Sequence, residues 1–152
     1  MDSETDLADP VEAPPRPRRR VRVHASTLVA VAVGGGLGAL GRHGLSVLLA
    51  TPPGGFPWAT FVINVVGCLL IGVLMVLVTE VHAAHRLVRP FLGVGVLGGF
   101  TTFSTYALEI HSLLRPGTAA VAFAYLAATL VAAMLAVLAG TWATRAVTGR
   151  SA

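Results

Sequence analysis

A chain of 152 residues that is 55% hydrophobic and only 12% charged, with a mean hydropathy of +0.77, has too little polar surface to close into a water-soluble domain and is expected in a membrane. That length leaves room for about four spans of roughly 20 apolar residues, which excludes a large transporter built from internal repeats. The net charge of +4 does not signal nucleic acid, because the arginines of the apolar body lie scattered between spans and are not gathered on one face.

Residues 1–22 hold five acids (Asp2, Glu4, Asp6, Asp9, Glu12), five arginines (Arg16, Arg18, Arg19, Arg20, Arg22) and the prolines Pro10, Pro14, Pro15 and Pro17, with almost nothing apolar to bury. They are expected to form a disordered N-terminal tail of zero net charge, ahead of a four-helix membrane unit over residues 23–152. Arg19 and Arg20 precede an apolar stretch, but no clean cleavage site follows and three similar segments come later, so this region does not read as an export signal.

Hydropathy places spans at Ser26 to Leu49, Pro57 to Glu80, Val88 to Leu113 and Gly117 to Ala146, each able to cross about 30 Å of hydrocarbon at about 1.5 Å per residue. Lipid admits only helices or closed barrels, and no alternating strand pattern is present, so the expected fold is an all-α membrane protein with four transmembrane helices. Prolines and glycines in the loops at Thr51 to Gly55 and Arg115 to Gly117 mark helix ends. With the N-terminus inside, nine arginines fall on the cytoplasmic side: the five of the tail with Arg86, Arg89, Arg145 and Arg150. Arg115 alone falls outside. This bias predicts one fixed topology in the cell membrane, with both termini cytoplasmic.

Polar groups inside apolar spans carry the chemistry. The third span reads GVGVLGGFTTFSTYALEI from Gly93 to Ile110, where paired Gly98 and Gly99 at mid-membrane are candidates for breaking the helix, followed by the hydroxyls of Thr101, Thr102, Ser104 and Thr105. Freed carbonyls there suit a hard cation such as sodium, while the glycines equally suit close helix packing. Asn64 in the second span must be bonded, either to a neighbouring helix or to a solute. Arg42, near the end of the first span, either gathers anions at a vestibule or snorkels to the interface. Phe103 and Tyr106 share a helical face with Glu109, and Tyr125 and Thr129 present hydroxyls one turn apart on the fourth span. With Asn64, Ser104 and Thr105 they would make a polar track for a dehydrated small anion. Cys68, the only cysteine, can form no internal disulfide and reads as a small core residue. His82 and His85 lack a third ligand and read as solvated loop residues.

The strings GGLGALGR at Gly35 to Arg42, TFVINVVG at Thr60 to Gly67 and GVLGGFTTFSTYALE at Gly95 to Glu109 together resemble the CrcB/Fluc family of small fluoride ion channels. The resemblance covers all four spans and leaves out only the tail. It implies an antiparallel dimer of four-helix subunits, two fluoride pores at the interface and a structural sodium ion at the dimer centre. The backbone carbonyls of Gly98 and Thr101 would be the sodium ligands. Asn64 would donate its amide to fluoride, Phe103 and Tyr106 would present ring edges to the ion path, Tyr125 and Thr129 would form the hydroxyl track, and Arg42 and Glu109 would lie near the pore ends. The implied activity is passive fluoride export that protects cytoplasmic enzymes, with no catalytic residues.

Two residues depart from the family pattern: Tyr106 stands where phenylalanine is common, and Ala133 where a further hydroxyl can occur. A larger departure is topological. Antiparallel homodimers need subunits that insert both ways, whereas the arginine bias fixes one orientation, which favours a heterodimer with a homologous subunit of opposite bias. The alternatives are a small four-helix proton-coupled multidrug exporter, which needs a carboxylate that the first span lacks, and a non-conducting membrane assembly subunit.

Overall fold

A computed structural model describes residues 24–81 and 86–149, and these contain helices and no strand. The tail, His82, His85 and Arg150 lie outside the described residues. Helix α1 is Ala25–Leu48 and α2 is Trp58–Val76, which runs on through a π-helical turn at Leu77–Val81. The third span opens as a π-helix, Arg89–Leu97, and closes with one α-turn, Gly98–Phe100; the two together are called α3. After a break it resumes as α4, Ser104–Leu113, and α5 is Ala119–Thr148. Four stretches, of 24, 23, 25 and 30 residues, are long and apolar enough to cross a membrane, within two residues of the ends expected from hydropathy. Gly117, at a φ of +94°, makes the turn into α5, and Gly149, at +70°, ends it with its N–H on the Arg145 carbonyl.

In lipid no hydrophobic gain separates helix contact from lipid contact, so close approach and polar pairing must hold the bundle. Its helices associate as two pairs, α1 with α3 and α2 with α5. Gly34 and Gly38 on α1 face Gly95 and Gly99 on α3 so closely that a Cβ on Gly38 would strike the Val96 carbonyl, and one on Gly99 the Gly35 carbonyl. Gly72 and Gly140 let α2 and α5 approach in the same way, against the carbonyls of Val137 and Leu69. Tyr125, Ile63 and Val76 are fully buried, whereas large apolar side chains such as Leu40, Leu138 and Trp142 face outward. At one end of the second pair, Arg145 Nη2 meets Glu80 Oε1 at 2.6 Å.

The break in the third span falls later than the glycines suggest. Gly98 is helical (φ −66°, ψ −33°), its neighbour Gly99 is held by packing on Gly35 of α1, and the chain leaves the helix at Thr101, which is extended (φ −75°, ψ 155°). Four of the backbone groups freed there are met from side chains. Asn64 Nδ2 donates to the Thr102 carbonyl at 3.0 Å, and its Oδ1 accepts the Thr102 N–H at 2.9 Å, a two-point amide clamp across the gap. Arg42 Nε donates to the Gly99 carbonyl at 3.1 Å, at the negative end of the α3 dipole. The Thr102 hydroxyl accepts the Thr105 N–H at 3.2 Å and so caps α4.

Removing the clamp strands an N–H and a carbonyl inside the bundle, at about 1–3 kcal/mol each. Asn64→Ala is therefore expected to lower unfolding stability in micelles by several kcal/mol, and a variant as stable as wild type would contradict the clamp. Gly38→Val, driven into backbone, is expected to cost about 3 kcal/mol or to prevent folding, while Gly36→Ala, where no atom lies within 4 Å of the added carbon, leaves stability unchanged in the same titration.

Candidate functional site

Between α2, the break and α5 lies a cleft of about 280 Å³. Helix α2 contributes Asn64, Cys68 and Ile71, spaced to share one helical face, and α5 contributes Thr129, Leu130 and Ala133. Thr101, Thr102 and Phe103 come from the break, and Tyr106 from the first turn of α4. Of the residues expected at a site, the structure thus brings Asn64, Thr101, Phe103, Tyr106 and Thr129 to one space.

Thr129 is the most informative of these. A hydroxyl inside a helix normally returns its proton to the carbonyl one turn back, as those of Ser46, Thr79, Thr144 and Thr148 do. Thr129 Oγ1 has no partner although the residue is only 5% exposed. Asn64 has two amide protons on Nδ2, and the clamp on Thr102 uses one. Asn64 and Thr129, both at the cleft, thus each keep one unspent donor, the Thr129 hydroxyl lying beneath walls that are otherwise apolar. The Phe103 ring, 79% exposed, stands 6.1 Å from the Tyr106 ring at the same cleft.

Tyr125 and Glu109 belong to a separate cluster. Glu109 accepts the Tyr125 hydroxyl at 2.7 Å and the Thr60 hydroxyl at 2.9 Å, one on each carboxylate oxygen. The Tyr125 ring is wedged edge-on between Phe56 and Tyr106, with centroids at 5.3 and 5.1 Å. Tyr125 therefore has its proton committed to a carboxylate, and does not continue the free hydroxyl series from Thr129. Tyr106 turns its own hydroxyl to the Leu126 carbonyl at 2.9 Å, so its oxygen is held against α5. Ser104 is exposed, 3.4 Å from the Thr102 hydroxyl, and Thr105 Oγ1 accepts that hydroxyl at 3.0 Å. Arg42 is bonded at Gly99 and does not line the cleft.

The carbonyls of Gly98 and Thr101 share a property that follows from the break. Along a helix they would accept the N–H of Thr102 and Thr105, yet those amides donate to Asn64 and to the Thr102 hydroxyl. Both carbonyls are left as oxygen donors three residues apart in sequence, and Gly98 is exposed on the subunit surface. That donor set fits a hard cation.

Thr60 and Cys68 were not expected at a site. Both stand at helical spacing from Asn64, four residues before and four after, so the periodicity of polar residues on α2 was the available signal. Cys68 lies half-buried on the cleft wall and does not fill a core.

Comparison with known proteins agrees with this architecture. The family model described as CrcB-like protein, Camphor Resistance (CrcB), matches residues 29–141. A protein of Nocardia farcinica named fluoride-specific ion channel FluC 2 is 57% identical over 133 residues, 88% of this chain and 95% of its own. The fluoride-specific ion channel FluC 1 of Streptomyces coelicolor is 56% identical over 126 residues, 83% and 82% of the two chains. One from Paracoccus denitrificans, named fluoride-specific ion channel FluC, is 40% identical over 114 residues, 75% and 90% of the two. With a family match over most of its length and four helices that fit a bilayer, the chain is a multi-pass membrane protein and belongs to the CrcB-like family.

Proposed function

We propose that this protein is a subunit of a fluoride-selective channel that lets fluoride leave the cytoplasm passively and so limits its toxicity. The observation that carries the reading is the unpartnered hydroxyl of Thr129 beside Asn64 in an otherwise apolar cleft. Fluoride is small, tightly hydrated and a strong acceptor, so a path through hydrocarbon must replace its water with closely set donors while holding it weakly enough for release. Asn64 Nδ2 and Thr129 Oγ1 are such donors, and the ring edges of Phe103 and Tyr106 add weak positive potential. The relatives named as fluoride-specific channels support the same assignment.

The subunit pairs antiparallel with a second one, and Gly98 and Thr101 of each would hold a sodium ion at the dimer centre through their carbonyls. That ion would supply positive charge where two helix breaks meet. Glu109, with Thr60 and Tyr125, lies near one end of the path, and Arg42 fixes the α3 side of the break. The arginine bias sets both termini in the cytoplasm and makes the second subunit a homologue of opposite bias. A proton-coupled exporter would need a carboxylate in an early span, and α1 has none.

Fluoride efflux from liposomes, read by electrode against chloride, tests the assignment. Loss of one hydrogen bond to an ion, worth about 1.5–3 kcal/mol, corresponds to roughly tenfold or more at 1.4 kcal/mol per decade, so Thr129→Val is expected to slow fluoride by at least that factor. Tyr106→Phe, which removes only a bond to the Leu126 carbonyl, should leave efflux within about threefold. Chloride passing as fast as fluoride would sink the proposal. Efflux is expected to need co-reconstitution with an inverted homologue and to fall when sodium is replaced by N-methylglucamine. Full flux from the protein alone, inserted in both orientations, would refute the heterodimer, and indifference to sodium would refute the cation site.

A further inference from the structure

A second groove, of about 220 Å³, lies between α2 and the opening turns of α3. Ile71, Leu74, Met75 and Val78 recur along one face of α2 and its continuation, and Gly93 and Val94 form the opposite wall. At Gly93 even one added carbon would touch Leu74, at 3.5 Å, so a larger side chain there fills the groove. Ile71 also lines the cleft, yet no side chain of the groove except Arg89 donates a hydrogen bond, so a dehydrated anion finds no path along it. Apolar walls that run about 10 Å from Ile71 to Val78, at about 1.5 Å per residue, suit a hydrocarbon chain instead. Arg89 also lines the groove and is exposed, and as the first residue of α3 it has the positive end of that helix to reinforce it. Both acids among the described residues are engaged elsewhere, Glu80 with Arg145 and Glu109 with Thr60 and Tyr125, so neither neutralises Arg89. With both termini in the cytoplasm, Arg89 meets the cytoplasmic leaflet, where anionic lipids give the surface its negative potential.

We infer that the groove between α2 and α3 binds one anionic phospholipid of the cytoplasmic leaflet, with an acyl chain along the apolar walls and the phosphate on Arg89. A guanidinium holds two phosphate oxygens at once, which fixes the headgroup as well as attracting it. A zwitterionic headgroup brings its own cation to the phosphate, so Arg89 gains less from it. The choice of leaflet rests on the proposed orientation, whereas the groove and its cation rest only on the packing of α2 and α3.

Native mass spectrometry of the full chain in micelles tests the site, with phosphatidylglycerol, phosphatidylcholine and glycerophosphoglycerol, the headgroup without chains, titrated in turn. Phosphatidylglycerol is expected to bind once per subunit and more tightly than either of the others. Arg89→Gln should weaken it about tenfold or more, the loss of a charged hydrogen bond. Gly93→Leu, which fills the groove and spares Arg89, should weaken it as much. Arg115→Gln, at an exposed arginine that does not line the groove, should leave it within about twofold. Equal binding of phosphatidylcholine, equal binding of the free headgroup, or unchanged affinity in Arg89→Gln or Gly93→Leu would each overturn the inference. Adducts on a monomer that are absent from a dimer would make a second copy of the chain the occupant, and overturn it too. Trypsin added outside intact spheroplasts reads the orientation separately: cleavage of the arginine-rich tail there refutes the assignment to the cytoplasmic leaflet, while the micelle titration decides the groove.

Discussion

A helix interrupted inside hydrocarbon exposes amides and carbonyls that water cannot reach, and each such group left unbonded costs several kcal/mol. Here the Asn64 side chain imitates the peptide groups it replaces, offering one donor and one acceptor to Thr102 across the gap. Everything that distinguishes the third span depends on that exchange. Because the Thr102 N–H is committed to α2, the Gly98 carbonyl is released, and because Thr102 caps α4 through its hydroxyl, the Thr101 carbonyl is released with it. Asn64 thus frees one carbonyl at the break, and the Thr102 hydroxyl frees the other.

The two helix pairs keep this arrangement rigid. Glycines on α1 and α3 bring backbones into contact that no larger residue permits, so α3 cannot slide to restore a continuous helix without separating from α1. Arg42 adds a charged bond to the last turn of α3 from the same neighbour. Across the bundle, Tyr125 is locked between Phe56, Tyr106 and the Glu109 carboxylate, which ties α4 to α5 and holds one end of the cleft in shape.

The spans were legible in the sequence because hydropathy over some twenty residues needs no tertiary knowledge. The location of the break was not. Gly98 and Gly99 have the composition of a hinge, yet Gly99 is spent on packing against Gly35 and both stay helical, so the chain bends at Thr101, where a partner on another helix rewards it. A similar difficulty hid Thr60 and Cys68. Their roles follow from sharing a face with Asn64, and which face matters is decided by α5 and the break, far away in sequence. Tyr125 and Thr129 looked alike as hydroxyls one turn apart, and only the placement of Glu109 separates a committed proton from a free one.

That free hydroxyl has a consequence for how an ion and the wall share the work of dehydration. A polar group facing water must shed its own hydration before it can bind, and this cost is charged against affinity each time an ion arrives. Thr129 Oγ1 is removed from solvent and from other partners when the helices close, so folding bears that cost once. On the proposed path an arriving ion would exchange its water for a donor that has nothing left to give up, which is preorganisation applied to passage instead of to reaction.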